Sequence, residues 1–284
     1  MYLFKKAKEL RAFLDKQNRP VAFVPTMGAL HEGHLSLVEE AASMGGLVVV
    51  SIFVNPTQFD NEEDLVKYPR PVSEDVQLLI QANTDVLYLP TVDDVYPNGT
   101  EPQKHFDFGQ LDKTMEGAFR DGHFEGVAQV VSRLLSIIDP DHLVMGQKDI
   151  QQTAIVRSML KQSDFKTELF LKKTVRDPDG LAMSSRNRRL TPAERLEAPI
   201  LYATIQATKD MDGKMSIAEL KAASIESIER SGYFKVDYFE VVNLDTMQLV
   251  DDWSESDELA ICVAAFIGKV RLIDNVLITK MKLL

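Results

Sequence analysis

The feature that most constrains this chain is an alternation that runs through roughly its first 175 residues. Short apolar runs rich in β-branched residues alternate there with longer stretches of helical periodicity. The apolar runs Val21–Pro25, Leu47–Val54, Val86–Leu89, His142–Met145 and Lys166–Leu171 read as strands. Helices are expected near 33–43, 73–82, 125–138 and 149–161. Another is expected over 3–17, where Leu3, Ala7, Leu10 and Leu14 recur at helical spacing. Strands that are apolar throughout are buried on both faces, so the pattern predicts an α/β fold, a Rossmann-like doubly wound parallel sheet. Ligands of such sheets bind beyond the carboxyl ends of the strands.

The pattern changes after about residue 190. Polar helices are expected over 192–209 and 216–231, then strands Phe234–Val242, Leu259–Ile267 and Lys269–Ile278. Gly268-Lys269 suits the turn of a hairpin between the last two. This predicts two domains: 1–176, binding nucleotide and substrate, and 177–284, a smaller α+β lid.

Composition narrows the function. The net charge of −11 argues against nucleic acid or an anionic membrane as partner, because both call for a cationic face. No apolar run reaches the roughly 18 residues of a membrane span, and the N-terminus lacks a signal-peptide block, so the cytoplasm is the expected location. The one cysteine, Cys262, sits in the apolar run LAICVAAFI and reads as a buried structural thiol. Against the acidic background, Arg176 to Arg189 holds four arginines and two aspartates, a local cationic island.

Four segments carry candidate chemistry. After the first buried strand come Met27, Gly28, Ala29, Leu30, His31, Glu32, Gly33 and His34, with two of the chain's five histidines. The glycines would let backbone approach a ligand, and a helix N-terminus suits phosphate. Imidazoles three apart could donate to a triphosphate; incidental histidines at a helix start and a zinc site are the other readings, although HExxH is absent. After the second strand, Asn55 and Gln58 offer neutral donors and acceptors for hydroxyls and a carboxylate, or else form a plain Asn-Pro turn. The third segment, Gly146, Gln147, Lys148 and Asp149, followed by Gln151 and Gln152, combines close backbone approach with a point charge for phosphate. The fourth, Val175 to Asn187, is a loop marked by Pro178 and Gly180, with Ser184, Ser185 and the guanidinium fork of Arg186.

The tetrapeptide His31-Glu32-Gly33-His34 resembles the HIGH signature of the nucleotidyltransferase superfamily. The longer string PTMGALHEGHLSLV resembles the pantothenate synthetase family, as do VNPTQF, MGQKDIQQ and MSSR. Met145 and Ile150 depart from the aromatic residues usual in that family. Tyr68-Pro69-Arg70 and the stretch from Arg120 to Val127 match it too, with Arg120 or His123 at the cleft. The resemblance implies a HIGH-type fold that condenses (R)-pantoate with β-alanine through a pantoyl adenylate, consuming ATP with Mg²⁺ and releasing AMP and pyrophosphate. It implies catalytic roles for His34, His31, Lys148 and Arg186. ATP would be bound by Met27 through His34, Gly146 through Asp149, Val175 and Met183 through Arg186, and pantoate or β-alanine by Gln58 and Gln152. No structural metal is implied, and a homodimer is. A nucleotidyltransferase acting on a phosphate-bearing substrate, a catalytically silent nucleotide-binding regulator and a metal-dependent hydrolase are the competing functions.

Overall fold

The computed structural model describes residues 1–59, 62–102, 104–209, 211 and 214–279. Its main sheet has six parallel strands: β1 (Tyr2–Phe4), β2 (Val21–Thr26), β3 (Leu47–Ile52), β4 (Val86–Tyr88), β5 (His142–Gly146) and β6 (Glu168–Lys172). They lie in the order β1-β4-β3-β2-β5-β6. Successive side chains of a strand point to opposite faces. Ala22, Val24, Val48 and Val50 accordingly pack under helices Glu32–Ser43 and Val72–Gln81. Phe23 and Val49 pack under Ala7–Leu14, His123–Ile138 and Ile150–Lys161. Both faces are covered, as continuous apolar runs require.

The topology positions the site. From β2 the chain winds outward through β3 and β4, then returns to place β5 on the other side of β2. The β2–β3 ladder runs the full length of β2, whereas β2 pairs with β5 only at Ala22↔His142 and Phe23↔Leu143. Beyond Phe23 the two strands part, and Pro25 brings no N–H to extend the ladder. A crevice opens at this switch point, between the carboxyl ends of β2 and β5.

Two expectations are corrected. The helix expected over 3–17 covers only Ala7–Leu14, and Tyr2–Phe4 is an edge strand beside β4. Tyr2 N–H donates to the Asp85 carbonyl, Leu89 N–H donates to the Phe4 carbonyl, and the Tyr2 and Phe4 rings pack on Phe13, so tertiary contacts override the helical period. The helix expected over 192–209 is two, Pro192–Glu197 and Ile200–Ala207, with the N–H-less Pro199 between them.

The second sheet is antiparallel, β7 (Phe234–Asn243), β8 (Glu258–Ile267) and β9 (Val270–Thr279), with the expected turn at Gly268. Helices Ile200–Ala207 and Ile217–Glu229 cover it around a separate core that includes Trp253, Phe239 and Ile261. Cys262 is buried on β8, and burial pushes its thiol pKa up.

Candidate active site

A cleft of about 820 Å³ lies over the β2/β5 crevice, walled on its far side by the antiparallel sheet. Met27, His31, Gly33, His34, Gln58, Gly146, Lys148, Asp149, Gln152, Val175, Met183, Ser184, Ser185 and Arg186 line it, so all four segments converge. Gly28, Ala29, Leu30, Glu32 and Gln147 do not line it; Ala29 and Leu30 are buried and Glu32 is exposed.

The turn after β2 is built differently from its sequence rationale. Gly28 and Ala29 both have positive φ, +82° and +51°. The space beside Gly28 is taken by protein: a Cβ there would lie 2.9 Å from Asp75 Oδ2 and 3.0 Å from Ile52. The fully buried Asp75 carboxylate accepts the N–H groups of Ala29 (2.9 Å) and Leu30 (2.7 Å), so these donors are not left for phosphate. Gly33 likewise makes room for the His31 ring, which would sit 2.9 Å from a Cβ. Sequence reasoning missed Asp75, because an acidic residue in a first helical turn reads as dipole compensation.

His31 is the N-cap of its helix: its Nδ1 accepts the Gly33 N–H at 3.1 Å. A neutral ring accepting through Nδ1 carries its proton on Nε2. The His34 ring lies 4.1 Å away between centroids, and its enclosed Nδ1 has no hydrogen-bond partner among the described residues. Burial, then the charges of Lys148 and Arg188, lowers the His31 pKa to about 4. Burial, then the neighbouring His31, lowers that of His34 to about 3. Both rings are therefore neutral at pH 7.

Lys148 Nζ lies 3.5 Å from Asp149. Asp149 lines the cleft with 48% of its side chain exposed. Burial opposes its ionisation, but Lys148 and Arg186 outweigh that and hold the carboxyl below its usual range. The fourth segment folds back on itself, with Met183 N–H donating to the Val175 carbonyl at 3.0 Å. Ser184 caps the turn Ser185–Arg189 by accepting the Arg186 N–H at 3.3 Å. Arg188 reaches the Leu30 carbonyl at 3.4 Å, bringing this loop to the first segment.

At the other end, Asn55 is consumed by the loop. Its amide donates to Thr57, Gln58 and the Gly126 carbonyl, and its oxygen accepts from Tyr96 at 2.9 Å. Gln58 is presented by this loop, with its Nε2 3.1 Å from Met27 Sδ. The adjacent glutamines divide their work. Gln151 is buried and binds the Leu111 and Thr114 carbonyls and the Glu116 N–H, while Gln152 makes no side-chain hydrogen bond among the described residues and faces the cleft. Arg120 and His123 also line the cleft; His123 bridges Arg120 (3.0 Å) and the Gln58 carbonyl (2.8 Å). Sequence reasoning missed the cluster beyond them, where Arg271 binds both Glu116 (2.8 Å) and Asp237 (2.7 Å).

The cleft thus brings two imidazoles, Lys148 and Arg186 together with the amides of Gln58 and Gln152, beside the charged cluster of Arg120, Glu116, Arg271 and Asp237, and the cations suit a triphosphate. A model of the family described as Pantoate-beta-alanine ligase matches residues 2–277. The pantothenate synthetase of Azobacteroides pseudotrichonymphae is 42% identical over 280 residues, 97% of this chain and 99% of its own. That of Bacteroides thetaiotaomicron is 42% identical over 272 residues, 95% and 96% of the two chains. The crystal structure of pantothenate synthetase from Thermus thermophilus matches with a TM-score of 0.91 at 41% identity, covering 97% of this chain and 99% of that one. A pantoate-beta-alanine ligase from Francisella tularensis, complexed with beta-gamma ATP and beta-alanine, matches with a TM-score of 0.81 at 34% identity, covering 98% and 97%. Fold, cleft and full-length likeness agree: the chain belongs to the pantoate-beta-alanine ligase family.

Proposed function

We propose that this cleft joins pantoate to β-alanine in two steps, with ATP first converting the pantoate carboxylate to an acyl adenylate. ATP would lie along His31–His34, Gly146–Asp149, Val175 and Met183–Arg186, and the acid between Gln58 and Gln152. The observation that carries the reading is the His31–His34 pair, with ring centroids 4.1 Å apart, in one cleft with Lys148 and Arg186.

A carboxylate is ionised at pH 7, so its attack on the α-phosphorus needs no general base. It needs in-line placement and neutralisation of the departing pyrophosphate. With pKa values near 4 and 3, His31 and His34 act as hydrogen-bond donors to developing charge rather than as cations. Lys148 and Arg186 supply the positive charge. In the second step the β-alanine amine attacks the acyl carbonyl and AMP leaves. Residues 177–284, read as a lid, would shield the adenylate from water.

Mg²⁺ enters with ATP. Among the described residues no group of three or more His, Cys, Asp or Glu side chains could hold a metal. Asp149, beside Lys148, is the carboxylate that fits an ion held mainly by ATP oxygens, and the ion would add charge neutralisation. The reading also carries a cytoplasmic location, supported by the free Cys262, and a homodimer, supported by family likeness and testable by sedimentation. No helix among the described residues is long and apolar enough to cross a membrane.

The test is pyrophosphate release from ATP, Mg²⁺ and pantoate before any β-alanine is added. Release with another acid and none with pantoate would overturn the substrate assignment.

A further inference from the structure

Two adjacent residues of β9 tie together the segments that hold Lys148 and Arg186. Asn275 is 2% exposed, and its Nδ2 donates to the carbonyls of Gln147 (3.1 Å) and Lys148 (2.8 Å). Its Oδ1 accepts Gln147 Nε2 at 3.1 Å, so the whole side-chain amide is committed to the turn after β5. Asp274 is 4% exposed and forms a bidentate pair with Arg176, at 2.6 and 2.9 Å. Arg176 in turn donates to the Gly180 carbonyl at 3.2 Å and lies over the Tyr202 ring, with its Cζ 3.7 Å from the ring centroid. It thereby fixes the root of the loop that ends at Ser184–Arg186. The Asp274 carboxylate also accepts the backbone N–H of Asn275 at 2.7 Å, which fixes the Asp274 side chain against the strand.

Neighbouring residues of a strand project to opposite faces, so one dipeptide can reach two segments that share no ladder. The β5 turn and the arginine loop belong to different parts of the chain, and a phosphate chain bridging them needs Lys148 and Arg186 at a set separation. A misplacement on the order of 1 Å is enough to cost about 100-fold in rate.

We propose that Asp274 and Asn275 are positioning residues that hold the Lys148 turn and the Arg186 loop in register for one ATP molecule. The proposal rests on the reading of Lys148 and Arg186 as ATP-binding groups, and it makes the C-terminal sheet part of the nucleotide site.

The test is a double-mutant cycle on the pyrophosphate-forming step, with Asn275→Ala, Lys148→Ala and the double variant. Asn275→Ala is expected to lower kcat/KM for ATP by about 10- to 100-fold while KM for pantoate stays near its parent value. Because Asn275 acts through the Lys148 turn, the double variant should fall little below Lys148→Ala alone. A purely structural role would lower both substrates' parameters together and give multiplicative losses, which would overturn the proposal. Normal ATP kinetics in Asn275→Ala beside a crippled Lys148→Ala would overturn it and leave the site reading intact. Normal kinetics in Lys148→Ala would overturn both. If Asn275→Ala does not fold, Gln147→Ala removes one bond of the clamp from a half-buried side chain. It carries the same expectation at smaller amplitude, and unchanged ATP kinetics there would count against the proposal. Asp274→Asn paired with Arg186→Ala tests the other arm by the same criteria.

Discussion

The Asp75 carboxylate accepts the Leu30 N–H at 2.7 Å, and across those 45 residues a helix on one face of the sheet dictates the shape of the histidine turn. A second bond to Ala29 completes the cradle, and the positive φ of Gly28 and Ala29 follows from it. Replacing Asp75 with Ala would leave two buried N–H groups unpaired, at a cost of about 2–4 kcal/mol in stability. Pyrophosphate formation should fall by more than the loss of folded protein explains, because His31 follows this turn directly. Urea unfolding alongside single-turnover kinetics checks both parts; full activity in a destabilised variant would separate Asp75 from the chemistry.

On the proposed reading, His34 would donate a hydrogen bond to the departing pyrophosphate. His34→Ala should cost roughly 2.7–4 kcal/mol of transition-state stabilisation, as lost oxyanion donors do, and slow adenylate formation about 100- to 1000-fold. Rapid quench of ATP with pantoate measures it, and near-normal rates would remove His34 from the centre of the mechanism.

Much of this frame was legible because buried parallel strands read as unbroken apolar runs. Val21–Pro25 and Leu47–Val54 announce themselves, and the residues just after them are where ligands bind in such sheets. What stayed hidden depends on partners distant in sequence. Asp75 acts on Ala29 and Leu30, and Asn275 acts on Gln147 and Lys148, yet neither has a local pattern that names its partner. Tyr2–Phe4 shares the helical spacing of the residues after it, and only the open edge of β4 makes it a strand. Gln151 and Gln152 are the same residue type side by side, so the residue types alone do not say which one is spent on carbonyls; the family likeness singled out Gln152.

The histidine pair also sets a pH dependence. An unfolded histidine titrates near 6.5, whereas His31 and His34 titrate at about 4 and about 3 in the fold. Below pH 6.5 the unfolded chain binds protons that the folded chain refuses. The stability they contribute is therefore whole above pH 6.5 and is lost as pH falls toward 4 and 3. The slope approaches about 1.4 kcal/mol per pH unit for each ring. Replacing both rings with Gln should flatten the urea-midpoint profile between pH 6.5 and 4 relative to the parent. Parallel profiles would mean that the rings titrate normally.

The contact between Glu116 and Arg271 joins the short helix Glu116–Phe119 to the antiparallel sheet beside the cleft. Arg271 is held by Glu116 at 2.8 Å and by Asp237 at 2.7 Å, with side-chain exposures of 17%, 10% and 13%. Tyr238 O–H adds a hydrogen bond to Glu116 at 2.9 Å. Removing one partner from a buried ion pair strands the other charge, so Arg271→Met should destabilise the protein by about 3–5 kcal/mol. Glu116→Gln should cost less, because Asp237 still neutralises Arg271. The double variant removes both charges together and should be more stable than the sum of the single losses implies. Urea unfolding of the four proteins measures the coupling. Strict additivity would mean that Glu116 and Arg271 act independently.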